Sequence, residues 1–453
     1  MSISSFTSSD RHKPRLAFAP EPAELSIKPS RADQRTMRMD AFVSSSCPSL
    51  YQPYNPPRWM HNGHVQTAYC VAGDFTKVDK VVYHRRLLRM VDGGTLGLDF
   101  TPPDDEDVPD DAPIIIVTHG LTGGSHESYV RAILAPAVTP KSEGGLGFRG
   151  VVVNFRGCAG VPITSPQLYS AGHTEDYRAA VLYIRTRYPK APLLGIGFSL
   201  GANVITRYVA EEGDNCRLVS AVALGCPWDL RQNATWLESN WFNREVYSKA
   251  MGRNLQSVLR RHGKAFAKFE DHPIADVLDE MLDMSSPYMF EFDNTITKLI
   301  GGSAPHFPFK THRDYYAWAR SDNVIQNIRI PFLGLQSSDD PIVPHSPPDC
   351  AGNGWLVLAW TRRGGHLGWF EYDSDGQLGR WVRKPVLEWF RAIIDLIDVD
   401  ETGNIRGRVT KSFGVVDGFL REEGKEQFGV REIIGCDEEV IGVEGEGGLL
   451  SGL

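Results

Sequence analysis

Three glycines crowd one serine in the stretch Gly195-Ile196-Gly197-Phe198-Ser199-Leu200-Gly201, between an apolar run and a helical one. A turn of this kind can cradle a phosphate or aim a hydroxyl. The dinucleotide fingerprint G-x-G-x-x-G begins correctly at Gly195 and Gly197. Its third glycine, however, arrives one residue late, and no acidic residue closes a short following strand. The nucleophile-elbow pattern G-x-S-x-G fits directly as Gly197 to Gly201. That turn is strained at the serine, and a Cβ on either side would crowd the neighbouring strand and helix. The spacing therefore favours a serine aimed at a substrate.

A serine hydroxyl needs a base within hydrogen-bond reach, and the base needs an orienting acid. Downstream, the apolar run Ile330–Leu335 leads into Gln-Ser-Ser-Asp339-Asp340-Pro341, and Leu356–Trp360 leads into Thr-Arg-Arg-Gly-Gly-His366. Ser199, Asp340 and His366 stand in the chain order expected of a sheet-borne hydrolase, each just after a predicted strand. Asp339 is the alternative acid. An acyl-transfer reaction also needs donors for its oxyanion. The backbone N–H of Leu200 follows the nucleophile, and that of Leu121 follows His119-Gly120 after the run Ile114–Thr118. Taken singly, Ser199 fits a tight turn, Asp340 a turn before proline, and His366 an ordinary loop. Four such signals in order, each after an apolar run, favour catalysis over coincidence.

The elements that must position these groups alternate. Short continuous apolar runs at Pro113–Thr118, Gly150–Asn154, Leu193–Ile196 and Val219–Leu224 predict buried parallel strands. Helical patterns at Glu127–Ala135, His173–Tyr188 and Ala202–Glu212 separate them. Antiparallel strands are expected before them at Lys80–Arg89 and Thr95–Phe100, and a helix closes the series at Arg380–Leu396. The pattern predicts an α/β fold with a mostly parallel sheet and helices on both faces. Residues 46–227 and 326–399 make its two parts, and 228–325, rich in Trp, Phe and Met, read as an inserted helical cap. Residues 1–45, rich in Ser, Arg and Pro, are expected to be poorly ordered. Residues 400–453 are expected to form a loose acidic Gly/Glu-rich tail. Residues 51–70, rich in proline and aromatics, are expected to wrap the core.

A net charge of −8 and the lack of a basic aromatic-laced cluster argue against nucleic acid as a partner. The N-terminus has no apolar core of a secretory signal, and no run of about 18 apolar residues occurs, so a cytoplasmic location is expected. The 7 cysteines form no C-x-x-C pair, which suits free thiols. No cofactor is expected. His61 and His64 lack a third ligand, so no metal is expected and His64 is read as structural, beside Trp59. Cys158 is read as a small buried residue and His173 as part of a helix start with Thr174 and Asp176.

Four stretches together resemble one family. They are Pro57-Arg-Trp-Met-His-Asn-Gly-His-Val-Gln-Thr67, His119-Gly-Leu-Thr-Gly-Gly-Ser-His-Glu-Ser-Tyr-Val-Arg131, Val152-Val-Asn-Phe-Arg-Gly-Cys158 and Gly197-Phe-Ser-Leu-Gly-Ala-Asn203. They are similar to the AB-hydrolase-four family of α/β-hydrolases, over roughly residues 50 to 395. The family includes fungal medium-chain fatty acid ethyl ester synthases/esterases and membrane-bound mammalian relatives that act on lipid esters. The resemblance implies an α/β-hydrolase fold and a Ser-Asp-His triad, matched by Ser199, Asp340 and His366. It also implies esterase activity, sometimes run in reverse as acyl transfer to an alcohol. The expected substrate is a small-molecule ester or acyl thioester, with water or an alcohol as acceptor, and the Trp-, Phe- and Met-rich cap suits acyl groups of medium length or a lipid ester. Association with a membrane or lipid-droplet surface is a further expectation. A role on a specialised metabolite, or ligand binding without catalysis on the same fold, are the alternatives.

Overall fold

The computed structural model describes residues 12–29 and 35–441. At its centre are eight strands, labelled β1 to β8: Val82–Met90, Thr95–Thr101, Ile114–Thr118, Arg149–Asn154, Leu193–Phe198, Ser220–Leu224, Phe332–Ser337 and Leu356–Thr361. They lie in the order β1-β2-β4-β3-β5-β6-β7-β8 within a 13-stranded sheet. From β3 onward neighbours run parallel, whereas β2 is antiparallel to β4 and to β1.

The strands are apolar throughout because both faces are covered. In β3, Ile114 and Ile116 enter one core with Val204, Ile205 and Tyr208 of the helix Leu200–Glu212. Ile115 and Val117 enter the other, with Ile133 of the helix Ser128–Val138 and Trp389 of the helix Arg383–Leu396.

Register decides where the loops meet. Thr118 pairs with Gly197, Phe198 with Leu224, Leu224 with Leu335, and Ser337 with Thr361. The carboxyl ends of β3, β5, β7 and β8 are therefore level, and the segments bearing Leu121, Ser199, Asp340 and His366 leave the sheet along one edge.

Between β6 and β7 the chain is helical, from Leu230–Glu238 to His312–Ala319, with π-helical turns at Asn243–Ser248 and Asp293–Thr297. The neck of this cap is stitched. The N–H groups of Ser321 and Asp322 both donate to Trp228 O, and Arg320 bridges Asp229 and Asp322.

The described parts of both terminal segments depart from expectation. Within residues 1–45, the segments 12–29 and 35–45 are structured, and 1–11 and 30–34 lie outside the described residues. Arg15–Ala17 adds an antiparallel strand to β8, with the Arg15 guanidinium 3.9 Å from the Trp360 ring centre. Phe42 and Val43 of the helix Met39–Ser46 are buried, Phe42 edge-on to Trp389. A few apolar side chains outweigh the polar composition around them.

The expected loose tail is likewise folded as far as residue 441, and 442–453 lie outside the described residues. Val430–Glu432 and Glu438–Ile441 both pair with β1, satisfying the sheet edge it would otherwise leave open. The tail's acids meet arginines of the body: Glu432 bonds Arg86, Glu438 bonds Arg85, and Glu422 bonds the buried Arg217. Among the described residues no helix is long and apolar enough to cross a membrane.

Candidate active site

Ser199 sits where β5 turns into the helix Leu200–Glu212, at φ 51° and ψ −120°. Its N–H donates to Leu224 O, which anchors the strained residue to β6. The flanking glycines are sterically required. A Cβ on Gly197 would come within 2.4 Å of Gly201 O, and one on Gly201 within 2.5 Å of His119 O and Thr118 O.

From Ser199 a hydrogen-bonded line runs through two further loops. Ser199 Oγ lies 2.8 Å from His366 Nε2, and His366 Nδ1 lies 2.8 Å from Asp340 Oδ2. The other carboxylate oxygen of Asp340 accepts from the N–H groups of Ile342 and Val343. All three side chains are buried, with Ser199 only 6% exposed. The two aspartates that the sequence left as alternatives point apart. Asp339 accepts from Ser337 Oγ and from the N–H of Gly365, so it braces the loop rather than the imidazole.

The histidine loop has a further support from the proline- and aromatic-rich wrap. The N–H of His366 donates to Thr67 Oγ1, whose hydroxyl donates to Gly63 O in the helix Gly63–Ala72. A Cβ on Gly63 would stand 1.8 Å from Asp339 O. Gly63 and Thr67 were legible only as members of a long motif, because nothing in their local sequence points toward residues 300 positions away.

Leu121 and Leu200 line the same cavity as Ser199. Leu200 opens a helix, where its N–H has no intrahelical acceptor. Its counterpart's loop is heavily braced. The Gly120 N–H donates to Tyr129 Oη, and the Thr122 N–H to Tyr169 Oη. The Leu121 N–H between them makes no hydrogen bond among the described residues. His119 accepts the Phe155 N–H at Nε2, so the proton sits on Nδ1, which donates to Gly120 O. Burial pushes His119 down to about 3, which keeps it neutral in this role. Beneath the loop, the buried Arg85–Asp99 pair receives the Ser125 hydroxyl.

Other singled-out residues take no part in this line. His64 packs against the cap, its Nδ1 2.5 Å from Tyr247 Oη and its ring edge-on to Phe242. Trp59, its expected neighbour, instead lies edge-on to Tyr69. His64 lies in the first turn of the helix Gly63–Ala72, on the side that meets the cap, whereas Trp59 precedes that helix. Cys158 is fully buried, and burial pushes its thiol up to about 12. Thr174 precedes the helix Glu175–Arg187, and His173 contacts Ser303 of the cap. Among the described residues no group of three His, Cys, Asp or Glu is placed to hold a metal ion.

Above Ser199 the cap covers a cavity lined by residues of both the sheet edge and the cap. Leu230, Leu237, Met251, Leu255, Ile342 and Val343 give it an apolar lining.

The sheet order, the elbow and the sheet-edge loops define an α/β-hydrolase architecture. A family profile for the alpha/beta hydrolase fold matches residues 113–352. The chain is 34% identical over 377 residues to a monoacylglycerol lipase of Saccharomyces cerevisiae, across 75% of this chain and 80% of that one. It is 28% identical over 421 residues to medium-chain fatty acid ethyl ester synthase/esterase 2 of the same yeast, across 79% and 90% of the two chains. It is 30% identical over 351 residues to human phospholipase ABHD3, across 76% and 78%. The chain belongs to the α/β-hydrolase family.

Proposed function

We propose that the protein is a serine hydrolase of carboxylic, lipid-type esters. The observation that carries this reading is the unbroken line from Ser199 Oγ through the His366 ring to Asp340. Ser199 Oγ attacks the ester carbonyl carbon while its proton passes to His366 Nε2. Asp340 holds the Nδ1–H and stabilises the imidazolium. The carbonyl oxygen gains negative charge between the N–H groups of Leu121 and Leu200. Collapse expels the alcohol, which takes the proton from Nε2, and leaves an acyl-enzyme. Water or a second alcohol, deprotonated by His366, then releases the acyl group.

The apolar lining of the cavity suits an acyl chain, and the name of the ester synthase/esterase relative supports a medium length. The names of the yeast relatives, a lipase and an ester synthase/esterase, support lipid esters as substrates and an alcohol as an acceptor beside water.

A p-nitrophenyl ester chain-length series, run with and without ethanol on wild type and Ser199→Ala, tests the reading. Wild type is expected to hydrolyse the series with a maximum at medium length and to form ethyl esters when ethanol is present. Near-normal turnover by pure Ser199→Ala would contradict the mechanism. Free acid as the sole product in ethanol would remove the transfer step.

A further inference from the structure

The cavity above Ser199 is not uniformly apolar. Asn233, on the cap helix Leu230–Glu238, lines it and is 5% exposed. Neither its amide oxygen nor its amide nitrogen has a hydrogen-bond partner among the described residues. A buried amide in this state is costly and rare in native structures. It offers an acceptor and two donors to whatever enters.

Asp293, in the π-helical turn Asp293–Thr297, lines the same cavity. It is 4% exposed. Thr297 Oγ1 donates to one of its oxygens at 2.5 Å and Tyr316 Oη to the other at 2.6 Å. The two donors lock the carboxyl in place and leave lone pairs on both oxygens. Single π-turns inside helices concentrate at functional sites. A slot built only for hydrocarbon has no use for either group, and filling it with an alkyl chain would leave Asn233 unpaired.

We infer that Asn233, with Asp293 beside the same cavity, forms a polar subsite that hydrogen-bonds a hydroxyl carried by the substrate ester. A hydroxyl both donates and accepts, which matches a free amide oxygen beside a free amide nitrogen. This deepens the esterase reading above and rests on it. The hydroxyl can belong to the alcohol half of the ester, as in a monoacylglycerol, or to the acyl chain, as in a hydroxy-fatty acyl ester. The chemistry that Asn233 reads is the same in both.

The test is a ratio of kcat/KM values, in which the folded fraction of each preparation cancels. Three esters are compared: 1-decanoylglycerol, ethyl 10-hydroxydecanoate and ethyl decanoate. Wild type is expected to favour at least one hydroxylated ester over ethyl decanoate by roughly tenfold or more. Asn233→Leu, close in size and without the amide, is expected to reduce that ratio by about 10- to 100-fold, and Asn233→Gln to restore part of it. The ester whose advantage disappears identifies which half carries the hydroxyl.

Equal rates on all three esters in wild type, or a ratio unchanged in Asn233→Leu, would overturn the subsite while leaving the esterase intact. If no ester is turned over, the esterase reading falls by itself. The subsite is then judged by calorimetric binding of the matching ethers, 1-O-decylglycerol and 10-ethoxydecan-1-ol, each against decyl ethyl ether. Tighter binding of either hydroxylated ether that is lost in Asn233→Leu upholds it, and equal binding of all three overturns it.

Discussion

The sheet edge and the cap hold their polar groups in opposite ways. At the edge nearly every polar atom is engaged, and mostly by backbone. Asp340 is held by two N–H groups and His366, His366 by Thr67, and Ser199 by Leu224 O. In the cap, the Asn233 amide is unengaged among the described residues, and Asp293 is held by side chains on a π-helical turn. Level strand ends give a fixed geometry, which an attacking oxygen and its base require. Helices packed across an apolar cavity can leave a polar group to be paired by the ligand. On the function and the subsite proposed above, this contrast becomes a division of labour, in which the edge sets the rate on every ester and the cap sets which ester is preferred.

The largest predicted effects fall at the edge and treat all esters alike. Replacing Ser199 or His366 by Ala is expected to lower kcat by roughly 10⁴-fold or more for any acyl chain, measured by steady-state hydrolysis. A loss confined to one chain length would break the division. The two neighbouring aspartates sharpen it. Asp340→Asn is expected to cost about 10³- to 10⁴-fold in kcat, because the imidazole loses the acceptor that sets its tautomer. Asp339→Asn, which still accepts from Ser337 or Gly365, is expected to cost roughly tenfold or less; equal losses would mean that the acid has been misassigned.

Thr67→Val probes the edge more gently. It removes the acceptor of the His366 N–H and leaves that buried group unpaired, a cost of about 1–3 kcal/mol. A melting temperature lowered by several degrees is expected, with kcat reduced severalfold and equally on short and long esters.

The smallest effect belongs to the cap and is read as stability against pH. Burial pushes the Asp293 carboxyl from 3.8 up to about 6, although Thr297 and Tyr316 donate to it. The fold therefore favours its protonated form. That stabilisation is complete below the ordinary carboxylate range and is lost as pH rises through about 6. Asp293→Asn, neutral throughout, is expected to gain about 1–3 kcal/mol relative to wild type at neutral pH and only about 0.5 kcal/mol at pH 4, in urea melts at the two pH values. A constant difference at both would show that Asp293 titrates normally.

The same contrast explains what the sequence made legible. Strands buried on both faces are unbroken apolar runs, so β3 to β8 and the loops after them could be marked directly. The convergence of those loops is a matter of register, which the sheet order supplies. What could not be marked has no local signal. Asp339 and Asp340 differ only in which way a turn points them. Tyr129 and Tyr169 support the Leu121 loop through hydroxyls on separate elements, and Gly63 and Thr67 support the His366 loop from a far part of the chain. The strand Arg15–Ala17 and those of 413–441 are three or four residues long, too short for a periodicity. Their stability comes from the sheet edges and arginines they meet, so composition alone misread the described parts of both terminal segments as loose.

The proposed chemistry requires Ser199 to be an activated nucleophile. Labelling by a fluorophosphonate probe, followed by peptide mass spectrometry of wild type beside Ser199→Ala, tests it most directly. One modified peptide spanning Ser199, absent from the variant, is expected. No labelling of well-folded wild type, or undiminished labelling of Ser199→Ala, would contradict it.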